Sequence, residues 1–254
     1  HAALDAAGEA MADYLAIDGD TSAEAYTIVA DAVLLLQAEL GNNPLNHSHI
    51  SASTESLVNA TNNLLALIDF LQQDIITTAN QLLNDAQQII DTYIWIGGDQ
   101  SQAVFTNTTS AQTVLENLIQ QDPQDAEAII QAINALSQAK SNLQSEVLVL
   151  EQNILTAASN IILQAGESLD AYLNAQGDPD DDAYSNALNA AAALQSAMED
   201  TEKDYPVIRT LTQELTENID VLDAATQLLL LLAEAEDIKT ASMNAMNEYT
   251  GLGG

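Results

Sequence analysis

Carboxylates gather at three Gly-Asp steps, where their type and spacing could bind a metal ion. The steps are Gly19-Asp20, Gly98-Asp99 and Gly177-Asp178, and the candidate Ca²⁺ ligands beside them are Asp18, Asp20, Asp178, Asp180 and Asp182. Hard carboxylate oxygens suit Ca²⁺, but the spacing differs from a twelve-residue EF-hand loop. An Asp after a helix also caps the next one by accepting backbone N–H bonds. We therefore expect capping, with Ca²⁺ binding as the alternative.

Histidines form the second group that could do chemistry. His47 and His49 flank one serine in a predicted loop, and His1 adds an imidazole and a free amine. Nitrogen ligands of this kind bind Cu²⁺ or Zn²⁺. No similar pair occurs elsewhere in the chain, so polar surface is the simpler interpretation and a metal site is the alternative.

Six aromatic residues recur at fixed spacing. They are Tyr14, Tyr93 and Tyr172, with Tyr26, Phe105 and Tyr184. They could line a ligand cleft, but at helical spacing we expect core anchors whose tyrosine hydroxyls reach solvent or a carbonyl group.

Catalytic motifs are missing from the sequence. It has no cysteine, nucleophile elbow, phosphate-binding glycine loop or His-Glu zinc motif. The many carboxylate pairs are typical of solvated helix surfaces, so we expect neither an enzyme nor a bound cofactor.

These features recur because the chain repeats itself. Ala7–Leu15 aligns with Ala165–Leu173. A shift by half the number of residues that separates these two segments brings each of them into register with a third, middle copy. This shift, from Tyr14 to Tyr93 for example, is called the repeat offset below. The predicted repeats are 1–79, 80–158 and 159–237, with a partial fourth repeat or capping helix at 238–254. The third copy is predicted to carry a small insertion around Glu202–Pro206.

Each copy reads as three helices, so the predicted fold is all-α. Apolar residues recur at three- and four-residue steps. Gly19, Gly98 and Gly177 are predicted to take a positive φ at a helix C-terminus, with the following Asp residues as N-caps and Pro179 at the first helical position. Pro44, Pro123 and Pro206 are predicted in loops. The third helix of one copy is predicted to run unbroken into the first helix of the next.

This connectivity resembles that of spectrin-type repeats, in architecture only. The resemblance implies tandem three-helix bundles joined by shared helices, in an elongated molecule. A solenoid of stacked helix pairs is the alternative packing.

Charge and composition limit the classes of binding partner and the cellular compartments that suit this protein. The net charge is -34, with 38 acidic and 4 basic side chains, which excludes nucleic-acid phosphates and disfavours anionic membranes. The longest strongly apolar stretch is Leu228–Ala233, too short to span a bilayer. Scarce lysine favours export to a periplasm or cell surface. Sequons at Asn46, Asn59 and Asn107 are compatible with glycosylation.

Two functions follow as hypotheses. The first is an extracellular structural or interaction protein: a rod that serves as a spacer, an adhesin stalk or a subunit of a surface layer or filament. Its partners would be copies of itself or other surface proteins. The second is a periplasmic helical bundle that binds or senses a metal ion or small ligand.

Overall fold

The structure, a computed structural model, describes residues 1–42, 46–121 and 125–251. In these ranges it holds only helices and turns, which confirms the predicted all-α fold. The helices are α1 (Ala2–Ala16), α2 (Glu24–Gly41), α3 (His47–Trp95), α4 (Ala103–Ile119), α5 (Ala126–Asn174), α6 (Asp182–Glu199) and α7 (Tyr205–Gly251).

Helix bounds recur at the spacing of the sequence repeat. The long helices begin at His47, Ala126 and Tyr205, each one repeat offset after the last. α3 and α5 each run for 49 residues without a break, as predicted. The predicted insertion around Glu202–Pro206 is wrong, because α7 starts where the repeat offset places it. Pro206 therefore lies in the first turn of α7, while Pro44 and Pro123 lie outside the described residues.

Core positions recur at the same spacing. Four sets of three equivalent residues are buried throughout: Ala7, Ala86 and Ala165; Leu36, Leu115 and Leu194; Leu57, Leu136 and Leu215; Leu64, Leu143 and Leu222. Burying a leucine side chain contributes roughly 1.5–3 kcal/mol, so the identical positions in each copy carry a similar stabilisation.

The chain divides into two compact units, and the first comprises residues 1–94 and 99–145. One of its core clusters draws on α1, α2 and the first half of α3, with Tyr14, Leu36 and Leu57 at its centre. Another joins the second half of α3 to α4 and to the start of α5 through Ala86, Leu115 and Leu136.

The second unit comprises residues 95–98 and 146–254. Its core clusters join the second half of α5 to α6 and to the first half of α7. Leu194, Leu215 and Leu222 are fully buried there. From residue 230 to residue 250 every side chain of α7 is exposed. The boundaries at 79, 158 and 237 stay a prediction.

Helix α5 is long and apolar enough to cross a membrane by length and composition alone, with a mean hydropathy of 1.2 in its most apolar window. Core helices pass the same test. In α5, 11% of that window is buried. The helix supplies the fully buried Leu136 and Leu143 to the first unit and Ala165 to the second.

Candidate functional sites

The three Gly-Asp steps form one recurring turn, here called the Tyr-Gly-Asp turn: Tyr14–Asp20, Tyr93–Asp99 and Tyr172–Asp178. In the first, the Gly19 N–H donates to the Tyr14 carbonyl at 3.0 Å and the Asp18 N–H donates to the Leu15 carbonyl at 3.1 Å. This pair of bonds is a Schellman motif, which satisfies carbonyl groups at the end of a helix. The bonds of Gly177 and Gln176 repeat it in the third copy.

The left-handed residue of each turn stands one position earlier than predicted. Positive φ angles belong to Asp18 (58°), Gly97 (81°) and Gln176 (63°), so the prediction for Gly19, Gly98 and Gly177 is wrong. Gly19 and Gly177 serve another purpose. A Cβ on Gly19 would overlap the Tyr14 ring, and a Cβ on Gly177 would overlap the Tyr172 ring. Both glycines are required by the close approach of an aromatic ring.

The aspartate side chains accept hydrogen bonds within the turns instead of capping the helices that follow. Asp20 accepts bonds from the Ser22 N–H and Oγ, both at 2.8 Å, and Asp99 makes the same two bonds with Ser101. The residues that cap α2, α4 and α6 are Ala23, Gln102 and Asp181. The predicted N-cap role of Asp20, Asp99 and Asp178 is therefore wrong by three residues. Pro179 also lies in the turn, where its fixed φ suits the second position.

Hydrogen bonds to Asp20 and Asp99 lower the pKa values of these two carboxyl groups. The Ser22 backbone N–H and hydroxyl lower the pKa of Asp20 below its ordinary value of 3.8, and Ser101 does the same for Asp99. A lowered pKa favours the folded state above pH 3.8, and that contribution disappears as the pH falls through the lower, folded-state value. The turns at Asp20 and Asp99 therefore favour an ionised carboxylate.

The recurring aromatics are core anchors, as predicted. Tyr14, Tyr93 and Tyr172 are buried, and each ring lies against the ring of Tyr26, Phe105 or Tyr184 at centroid distances of 5.7, 5.6 and 5.9 Å. The hydroxyls of Tyr14 and Tyr93 donate to the carbonyls of Asp20 and Asp99 at 3.4 and 3.0 Å. Burial, and next the charge of Asp181, raise the pKa of Tyr172. The aromatic pairs thus tie each turn to the following helix.

Two of the candidate Ca²⁺ ligands, Asp20 and Asp178, accept local hydrogen bonds. Asp178 Oδ1 accepts from the Asp180 N–H at 2.9 Å, while Asp182 is the first residue of α6. In the described ranges no three carboxylates or histidines stand close enough together to hold a metal ion.

The histidines lie in different surroundings from those predicted. His47 and His49 are in the first turn of α3 instead of a loop. Two residues apart on a helix, they point to roughly opposite sides, so they cannot readily share one ion. His49 Nδ1 lies 3.8 Å from Glu39 Oε1, and His1 precedes α1. The sequon asparagines Asn46, Asn59 and Asn107 are exposed.

Sequence reasoning missed an open groove in the second unit, with a volume of about 690 Å³. Its apolar lining comes from Ile96, Leu150 and Ile154, and its polar lining includes Arg209, Gln213 and Glu217. A volume of this size lies within the range of small-molecule sites. The groove is thus large enough to hold a small ligand.

Arg209 is the only arginine of the chain, and it lines the groove. Its Nη1 donates to the Ile96 carbonyl at 3.0 Å. A Cβ on Gly97 would overlap this guanidinium group, so the glycine makes room for it. Trp95, the only tryptophan, stands beside Ile96 with its ring edge on to Tyr205 at 6.5 Å.

Several residues that line the groove differ from those one repeat offset earlier. At the equivalent positions one repeat offset earlier, Arg209 and Thr212 are replaced by Ile130 and Ile133, and Ala157 by Thr78. Ile133 packs against the core of the first unit. Arg209 and Thr212 thus stand where the second copy has the apolar side chains of Ile130 and Ile133. A single arginine amid 38 acids was the sequence signal that could have marked the groove.

Comparisons of the chain with protein-family models, with curated proteins and with solved structures found no match.

Proposed function

We propose that this protein is a non-catalytic structural protein, a rod of helical repeats that acts as a spacer, adhesin stalk or assembly subunit outside the cytoplasm. The observation that carries the proposal is the recurrence of core positions and helix bounds at the repeat offset. In repeat proteins each unit contacts only its neighbours, so the number of repeats sets the length of the molecule.

The proposed architecture is three tandem three-helix bundles, connected as in spectrin-type repeats. Residues 238–254 then form either the start of a fourth bundle or a capping helix. Helices of 49 residues support the tandem bundles, because each is about 74 Å long when straight. A helix of this length can belong to one bundle in its first half and to the next in its second half.

Composition supports a place at a cell surface or in a periplasm. A net charge of -34 keeps copies of the chain from clumping nonspecifically and repels polyanions. The proposed partners are therefore copies of the protein or other surface proteins, joined by apolar or amide contacts.

Small-angle scattering tests the rod directly. A compact globule of 254 residues has a radius of gyration of about 18 Å. We expect a value well above this in dilute solution at moderate salt, and a value near that of the globule would contradict the proposal.

The groove favours a second candidate function, the binding of a small amphipathic carboxylate. The apolar lining would take the hydrocarbon body, and the Arg209 guanidinium would pair with the carboxylate, as guanidinium groups do. Glu217 stands two turns further along α7, about 12 Å away, and would repel a second acid at the far end.

Trp95 fluorescence tests this candidate by titration with decanoate, decanol and decanedioate. We expect decanoate to bind about tenfold more tightly than the other two, which corresponds to one charge-assisted hydrogen bond. The advantage should vanish in Arg209→Gln and persist in part in Arg209→Lys. Equal binding of the three probes, or no effect of Arg209→Gln, would contradict it.

A further inference from the structure

Helix α7 has two apolar seams, and only the first is covered. Between Ile208 and Leu229 the inward residues follow alternating steps of three and four, through Leu215, Ile219 and Leu222. These side chains pack against α5 and α6. Past Leu229 the same alternation meets residues that are all exposed and mostly polar: Ala233, Glu236, Thr240, Met243 and Asn247.

The second seam begins where the first stops. Leu228 starts a new alternation of three and four that continues through Leu231, Ala235, Ile238, Ser242, Ala245 and Tyr249. It is displaced from the first seam by two positions, or about 200° around the helix. The second seam therefore lies on roughly the opposite side of α7 from the face that packs against α5 and α6.

The large residues of the second seam lack cover in the structure. Leu228, Leu231, Ile238 and Tyr249 are between 59% and 67% exposed. A regular three-four alternation over three heptads is the pattern that pairs helices in coiled coils, with these residues at the a and d positions. The pattern is self-complementary, so the same seam on another copy fits it.

The charged residues beside the seam favour a second copy of the chain as the partner and a parallel direction of the two helices. Flanking the seam, Glu234 falls at a g position and Lys239, the only basic residue of the segment, at the e position five residues later. Within one copy Lys239 pairs with Glu236 at 2.8 Å on the exposed surface, and in the pair of copies it would exchange this partner for Glu234. In a parallel, in-register pair, each g residue faces the e residue five positions on in the other helix. Glu234 of each copy then meets Lys239 of the other. In an antiparallel pair Glu234 would instead face acidic or neutral g positions.

We propose that residues 228–249 of two copies pair as a parallel coiled coil, so that a second copy of this chain covers the exposed seam. The inference rests on the proposed assembly role, names its partner and contact surface, and takes residues 238–254 as a capping helix instead of part of a fourth bundle. Exposed acids elsewhere repel the approaching copies, so pairing should strengthen as salt screens them.

The absence of cysteine from the chain permits a direct test. Ser242→Cys places a thiol at an a position, where two parallel, in-register helices bring equivalent residues together. Thr240→Cys is the matched control, equally exposed but on the outer face of the pair. Under mild oxidation in high salt we expect Ser242→Cys to form disulfide-linked dimers several-fold faster than Thr240→Cys. Equal rates, or no dimer from either variant, would overturn the proposal.

Sedimentation equilibrium gives a second readout without cysteine. The unmodified chain should reach the mass of two copies in high salt, whereas Ile238→Glu should stay at one, with unchanged helicity by circular dichroism. Thr240→Glu adds the same charge on the outer face and should still dimerise. If the chain keeps the mass of one copy under all conditions, the pairing proposal is overturned. The rod proposal is unaffected, because scattering in dilute solution measures the shape of one copy.

Discussion

At the scale of single residues, the Tyr-Gly-Asp turn depends on a glycine because a tyrosine ring occupies the space where a Cβ would lie. Gly19 and Gly177 are adjacent to left-handed residues but are not left-handed themselves. The glycine-aspartate pattern indicated a helix end correctly. It could not indicate which residue takes the positive φ, because Asp18 and Gln176 tolerate that conformation when the Schellman bonds hold it.

We expect Gly19→Ala and Gly177→Ala to lower the free energy of unfolding by roughly 1–3 kcal/mol each, because the new Cβ displaces the ring of Tyr14 or Tyr172. Urea denaturation followed by circular dichroism measures the change.

Gly8→Ala and Gly166→Ala are the matched controls. These glycines lie within α1 and α5 with open space where an alanine Cβ would stand, so alanine should raise the stability by about 0.5–1 kcal/mol. If all four variants behaved alike, the contact between glycine and tyrosine would not matter.

At the scale of elements, the long helices follow from the sequence more directly than the turns do. An apolar period of three to four without proline is enough to predict α3 and α5 as unbroken helices. The first residue of each following helix was less predictable, because the turn aspartates have the residue type of an N-cap but lie three residues before the actual N-cap. The groove depends on which side chains of separate helices meet, and periodicity along one helix carries no such information.

Removal of one whole repeat should leave a protein that folds. In a variant without residues 80–158, the first half of α3 continues into the second half of α5 with every core position in register. We expect cooperative thermal unfolding with a similar helix content per residue.

Removal of residues 80–156 is the control. It leaves two extra residues at the junction and turns the following core face by about 200°. We expect this variant to unfold at a markedly lower temperature, and equal stability of the two deletions would show that the register of the repeat is unimportant.

At the scale of the whole molecule, charge acts mainly through repulsion. Within the described ranges, two ion pairs involve a lysine, Lys140–Asp85 and Lys239–Glu236, and His49 lies 3.8 Å from Glu39. Most of the 38 acids therefore repel one another without compensation, and salt should relieve this by screening.

We expect the melting temperature to rise steadily with NaCl, and Ca²⁺ and Mg²⁺ to act alike at equal concentration. Differential scanning calorimetry measures both effects. A much larger shift with Ca²⁺ that is lost in Asp20→Asn or Asp178→Asn would instead establish a specific site at the Tyr-Gly-Asp turns.

The central claim is that repeats of this chain set its length, and scattering from the full chain and from the variant without residues 80–158 tests it most directly. For a rod, removal of one repeat should shorten the maximum dimension by roughly a quarter to a third while the cross-section stays the same. A cross-section that shrinks along with the length, as in a compact globule that loses mass, would contradict the claim.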